Sequence, residues 1–92
     1  MTENHTKHKT TVHRLGSSLA LRIPMNLIRL LNFSGHSIDK IKCSGKLKGK
    51  QEIHSRKAGK YDQFYILVTG TLSEGEYTLN YNTTNKTLKV EK

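Results

Sequence analysis

Several residue types are scarce in this chain of 92 residues. It has no tryptophan, one proline and a single cysteine, Cys43, so no internal disulfide can form. A lone thiol also gives little support to a zinc site, which usually needs several cysteine or histidine ligands. We therefore expect no metal and no other cofactor.

Acidic residues are scarce as well, and this argues against an enzyme. Only seven Asp and Glu are present, scattered along the chain, and no two stand out as an acid/base couple. A pairing of Cys43 with His36 or His54 has only nearness in sequence in its favour, and a buried, inert thiol is the commoner case. The phosphate-binding Gly-Lys-Ser/Thr loop is missing too. We expect no enzymatic activity.

Long apolar runs are also lacking. No stretch approaches the roughly 20 apolar residues that span a bilayer, and residues 1–11 are polar, unlike a signal peptide. This predicts a cytoplasmic protein with no membrane partner. Only 34% of the residues are hydrophobic. A core this thin in a short chain favours help from a partner subunit.

Positive charge is what the chain has in excess. Sixteen Lys and Arg against seven acidic residues give a formal net charge of +9. Such a surplus attracts polyanions. Because no long basic amphipathic helix is present, nucleic acid is favoured over an anionic membrane.

The first third of the chain has a hairpin-like pattern. Residues 1–9 are polar, charged and without periodicity, and we interpret them as a flexible basic tail. Residues 10–15 and 19–23 alternate in polarity on either side of Gly16-Ser17-Ser18, which predicts two short strands and a turn. Pro24 then suits the first turn of a short apolar helix over residues 25–31.

The remainder predicts further β-structure within a single domain that covers residues 10–92. Residues 38–43 read as a strand, and the basic insertion at about 44–60 reads as a loop or a β-ribbon. Residues 64–68 form an apolar run typical of a buried strand, and the alternation after residue 75 predicts a β-meander. The expected fold is mainly β with one short helix.

Residues 12–24 read Val-His-Arg-Leu-Gly-Ser-Ser-Leu-Ala-Leu-Arg-Ile-Pro. This order resembles the start of AbrB/MazE-type swapped-hairpin DNA-binding domains, and the likeness continues to Gly35. The family's second half begins with Gly-Asp, where this chain has Gly35-His36, and then forms one hairpin. Its counterpart here is either the hairpin at 75–91 or one that starts at Ile38. The resemblance implies a swapped-hairpin β-barrel, formed by an intertwined homodimer, with extra C-terminal strands.

The resemblance also implies which residues face DNA. The matched positions are His13, Arg14, Ser17, Ser18 and Arg22. Arginine can contact guanine N7 and O6 through two hydrogen bonds, and Arg22 could clamp a phosphate or buttress Arg14. The serine hydroxyls suit phosphate oxygens, and His13 adds charge only when it is protonated.

The basic insertion predicts a second set of contacts that would not depend on DNA sequence. Half of all the Lys and Arg residues fall between Lys40 and Lys60. The expected phosphate contacts are Lys46, Lys48, Lys50, Arg56 and Lys57.

The leading hypothesis is a small dimeric transcriptional regulator that binds double-stranded DNA sequence-specifically. One alternative is an antitoxin-type autoregulator with a toxin as protein partner. Another is a viral or plasmid interaction module that docks on a host protein. RNA or single-strand binding is a further alternative. The last two would use the exposed-looking Tyr61, Tyr65, Tyr77 and Tyr81.

Overall fold

A computed structural model of the chain describes residues 5–30 and 40–92. In those ranges the protein is mainly β with one short helix, as the sequence predicts. The elements in chain order are β1 (His5–Leu15), β2 (Ser18–Ile23), α1 (Met25–Leu30), β3 (Lys40–Gly45), β4 (Gly49–Glu52), β5 (His54–Ala58), β6 (Tyr61–Leu67), β7 (Gly75–Asn82) and β8 (Thr87–Glu91). The described helix, six residues long, is too short to cross a bilayer.

The eight strands form one sheet in the order β4-β3-β8-β7-β1-β2-β6-β5. All neighbouring strands are antiparallel except β3 and β8, which are parallel. The two edge strands, β4 and β5, follow one another along the chain and are separated only by the buried Ile53. One bent stretch therefore pairs with β3 through its first half and with β6 through its second. This brings the two edges of the sheet together into a nearly closed barrel.

The barrel interior is the hydrophobic core. Alternate residues of β7 and β8 point inward, so Tyr77, Leu79 and Tyr81 pack with Leu88 and Val90. Val12, Leu21 and Ile66 come from β1, β2 and β6, in the other half of the sheet. Leu27 and Ile28 of α1 join the same cluster. Each fully buried aliphatic side chain stabilises the fold by about 1.5–3 kcal/mol. A single chain thus assembles one continuous core.

The expected flexible tail is wrong for residues 5–9. They form the first half of β1 and pair with β7, from His5 opposite Asn82 to Lys9 opposite Thr78. Charge obscured an alternating pattern in which Thr6, His8 and Thr10 share a face while Lys7 and Lys9 lie exposed on the other. Pairing with β7 also satisfies backbone groups that β7 would otherwise leave open on that side. Residues 1–4 lie outside the described residues.

Three further predicted segments correspond to strands of the sheet. The strand at 38–43 corresponds to β3, with Ile41 and Cys43 buried as expected. The basic insertion at 44–60 supplies two strands, β4 and β5, which close the barrel. The apolar run at 64–68 falls at the end of β6, which ends at Leu67 before a turn at 69–71, and Leu67 is exposed where a buried strand was expected. The helix predicted over residues 25–31 corresponds to α1, and residue 31 lies outside the described residues.

Candidate nucleic-acid interface

All sixteen basic residues fall within the described ranges, and every one of them is exposed. The acidic residues in the same ranges number five: Glu52, Asp62, Glu74, Glu76 and Glu91. Among described residues, two cations pair with a carboxylate. Arg14 Nε lies 3.7 Å from Glu74 Oε2, and Lys89 Nζ lies 3.3 Å from Glu91 Oε1. Fourteen of the sixteen cations have no acidic partner there, so the positive field of this surface is largely uncompensated.

One group of predicted contact residues lies at the β1–β2 turn. Leu15 pairs with Ser18, so Gly16 and Ser17 form a two-residue turn, and the positive φ of Gly16 suits its first position. Gly16 and Ser17 are exposed, and the Arg14 side chain beside them is 70% exposed. The turn therefore presents a guanidinium, a hydroxyl and backbone amides together at one end of the barrel.

His13 and Arg22 do not join that group. His13 pairs with Ala20, and it lies half-buried on the opposite face of β1 from Arg14. Arg22 lies three residues beyond Leu19, the partner of Arg14, which corresponds to about 10 Å along the strand. It also points to the opposite face, so the expectation that Arg22 buttresses Arg14 is wrong.

The basic insertion divides between the two ends of the barrel. The strand pairings show that β1, β8 and β3 run in the same direction. The β1–β2 and β3–β4 turns, which follow β1 and β3, therefore lie at the same end of the barrel. The β3–β4 turn carries Lys46 and Lys48, and it is anchored by a hydrogen bond from Lys46 N to Val90 O of 2.8 Å. These two lysines thus share an end with Arg14 and Ser17.

The other predicted phosphate contacts lie farther along the sheet. Lys50 is exposed on β4 and pairs with Lys42. Arg56 and Lys57 are neighbours on β5, so their side chains point to opposite faces, and they lead toward the far end of the barrel. The five residues therefore do not form one patch.

A second cationic cluster lies where sequence reasoning expected none. A cleft of about 430 Å³ opens between β2, α1 and β6. Its lining combines two guanidiniums with aromatic, apolar and polar side chains: Arg22, Ile23, Met25, Arg29, Tyr61, Asp62, Gln63 and Phe64. Tyr61 is 74% exposed, the most of any large apolar side chain in the described part. The signal in the sequence was Arg29, which interrupts the apolar run of the helix.

The tyrosines separate into two kinds. Tyr77 and Tyr81 are each 4% exposed and belong to the core, and the Tyr77 hydroxyl donates a 2.9 Å hydrogen bond to Ser73 O. The expectation of four exposed tyrosines is therefore wrong for these two. Tyr65 is half-buried, with its ring stacked on His54 at 5.5 Å, and only Tyr61 is freely presented.

The described residues give little support to metal or nucleophile chemistry. No cluster of three or more His, Cys, Asp or Glu within them could hold a metal ion. Cys43 is buried, its thiol faces Ile41 O at 3.8 Å, and burial raises its pKa to about 12. The thiol therefore stays protonated at neutral pH, a poor state for a nucleophile.

The chain has no match among known proteins. No protein-family model, curated protein or solved structure matches the chain. The AbrB/MazE resemblance stays a prediction, carried by the motif between Val12 and Gly35.

Proposed function

We propose that this protein binds double-stranded DNA sequence-specifically, as a small transcriptional regulator. The observation that carries the proposal is the surface charge. All sixteen basic residues are exposed, and fourteen have no carboxylate partner among the described residues. DNA phosphates compensate such a surface, and the counterions they release favour binding.

The end that holds the β1–β2 and β3–β4 turns is the proposed contact surface. Arg14 would read a guanine edge, the Ser17 and Ser18 hydroxyls would contact phosphates, and Lys46 and Lys48 would hold the backbone. The Arg14–Glu74 ion pair is exposed, and such pairs contribute only about 0–1 kcal/mol. Releasing Arg14 to a base therefore costs little against the roughly 1–3 kcal/mol of discrimination that a two-bond guanine contact supplies.

A homodimer is part of the proposal, because the swapped-hairpin resemblance implies one. Within one chain β1 pairs with β7, and β2 pairs with β6. Two copies that exchanged their β1–β2 hairpins would make the same pairs between chains, so exchange loses no strand pairing. A dimer would present two Arg14 side chains to a palindromic site.

The dimer is tested separately from DNA binding. Light scattering across the concentrations used for DNA binding should give twice the chain mass of 10.5 kDa. A mass of one chain at all those concentrations would reject the dimer and leave the DNA proposal standing.

The test of DNA binding is a selection from random duplexes at near-physiological salt. Wild type should yield a short consensus, and Arg14→Ala should lose preference at one base position of it. Lys48→Ala is the matched control, since it removes a cation from the same end and should weaken all sequences alike. Selection of no consensus by wild type, or of the same consensus by Arg14→Ala, would reject the assignment of Arg14.

A further inference from the structure

We propose that the cleft between β2, α1 and β6 binds one unpaired nucleotide. Its base would stack on Tyr61, and its phosphate would lie between Arg22 and Arg29. This goes beyond duplex binding, because bases inside a duplex are stacked on their neighbours and offer no free face to a side chain.

The exposed ring of Tyr61 is the first support. Isolated apolar side chains are common on protein surfaces, so exposure alone decides nothing. Tyr61, however, borders the same cleft as the half-buried Phe64 and the 41% exposed Met25. An aromatic ring on an apolar floor is the usual platform for a base in single-strand binding.

The charge of the cleft is the second support. Arg22 and Arg29 are both exposed, and neither forms an ion pair with another described residue. The one acidic residue on the lining, Asp62, lies opposite Lys57 in the β5–β6 register. The cleft thus combines a stacking ring with two guanidiniums against one carboxylate, and neither guanidinium is ion-paired to it, which is the chemistry that a base and its phosphate require.

Both arginines stand on well-anchored backbone. The Arg22 carbonyl accepts a hydrogen bond from the Thr10 hydroxyl, and Arg22 pairs with Tyr65 of β6. Arg29 lies on α1, which is held by the buried Leu27 and Ile28, and the amides of both donate to Pro24 O. The cations are therefore presented by packed elements, so little ordering is needed when a ligand binds.

The size of the cleft favours one nucleotide. A volume of about 430 Å³ lies within the roughly 300–1,000 Å³ typical of small-ligand sites. An acidic peptide with an aromatic residue shares part of this chemistry. The nucleotide is favoured because the whole surface, with sixteen cations against five described acids, suits a sugar-phosphate backbone that continues past the cleft.

The experiment measures fluorescence anisotropy with labelled single strands of six thymidines or six uridines. Competition with free nucleoside monophosphate shows whether the cleft binds a free nucleotide or only a nucleotide within a strand. Tyr61→Ala should weaken binding about tenfold or more, whereas Tyr61→Phe should stay within about twofold because it keeps the ring. Arg29→Gln should weaken binding more than Lys42→Gln, which removes one exposed charge from β3, across the barrel.

Two outcomes would overturn the proposal. One is equal binding by wild type and Tyr61→Ala. The other is an acidic, tyrosine-containing peptide that binds more tightly than either strand and depends on Tyr61. Thermal melts establish that each variant is folded. A parallel titration with duplex DNA separates the two proposals, since Tyr61→Ala should leave duplex binding unchanged and Arg14→Ala should leave single-strand binding unchanged.

Discussion

Cys43 illustrates how burial governs the chemistry of a single residue. It lies on the inner face of β3, in the same cluster as Leu88 and Val90, and burial raises its pKa to about 12. The same burial raises the pKa of the Tyr81 hydroxyl. Both groups stay neutral in the folded core at a pH where an unfolded chain would begin to ionise them.

This difference predicts a loss of stability in alkali. The Cys43 thiol has an ordinary pKa of 9.0, so the folded state retains a proton that the unfolded state loses above that pH. The stabilisation is complete below pH 9.0 and is lost as the pH rises toward about 12. Thermal melts at pH 7, 9 and 11 should show a falling melting temperature. The fall should be smaller in Cys43→Ala, and parallel falls in both proteins would contradict this account.

Leu79 and Leu67 differ sharply in burial. Its side chain is fully buried in the barrel, whereas Leu67 on β6 is 43% exposed. Leu79→Ala should lower the free energy of unfolding by about 2–5 kcal/mol, because it removes buried apolar surface and leaves a cavity. Leu67→Ala is the matched control, and urea titration should show a clearly smaller loss. Similar losses would contradict the placement of Leu79 in the core.

Elements with local signals could be predicted from the sequence, and elements determined by distant partners could not. The β1–β2 hairpin and the β7–β8 pair carry alternating patterns around turn residues, so their own residues predict them. In the β4–β5 stretch, Ile53 is the only residue of high strand propensity, and the stretch becomes extended because β3 and β6 offer open edges.

The two candidate sites differ in the same way. Ser17 is in the β1–β2 turn and Arg14 lies two residues before Gly16, so the motif itself placed them together. The cleft exists only because β6, some forty residues further along the chain than β2, pairs with it beside α1. No local pattern contains that pairing, so Arg29 could not be assigned a role beforehand.

The turn after β3 is flanked by two glycines in different surroundings. Gly45 and Gly49 both have a positive φ, at 80° and 87°, but a Cβ at Gly45 would collide with the Val90 carbonyl oxygen, whereas a Cβ at Gly49 meets open space. Both alanine variants should lose about 1 kcal/mol from backbone strain. Gly45→Ala should lose clearly more in urea titration, because the β3–β8 contact must also shift. Equal losses would show that the close approach is unimportant.

At the scale of the whole molecule, the closing stretch at residues 49–58 determines the shape. Sheet edges expose unpaired backbone groups that invite association with other chains. Here the two edge strands are consecutive in sequence, and the buried side chain of Ile53 lies at the bend between them. Closure brings the edges together, keeps the core side chains inside and leaves all sixteen cations exposed. The fold thus turns an excess of lysine and arginine into an exposed positive shell.

Charge-removing variants show whether that shell binds duplex DNA as a whole or through one end. Two double variants lose the same charge: Lys46→Gln with Lys48→Gln at the end of the β1–β2 turn, and Arg56→Gln with Lys57→Gln on β5. Each neutralised phosphate contributes about 0.9 to the slope of log K against log salt. The first pair should reduce the slope by roughly 1.8 if both lysines contact phosphates. The second should leave it near the wild-type value, and equal reductions would mean that DNA responds to the total charge and not to this end of the barrel.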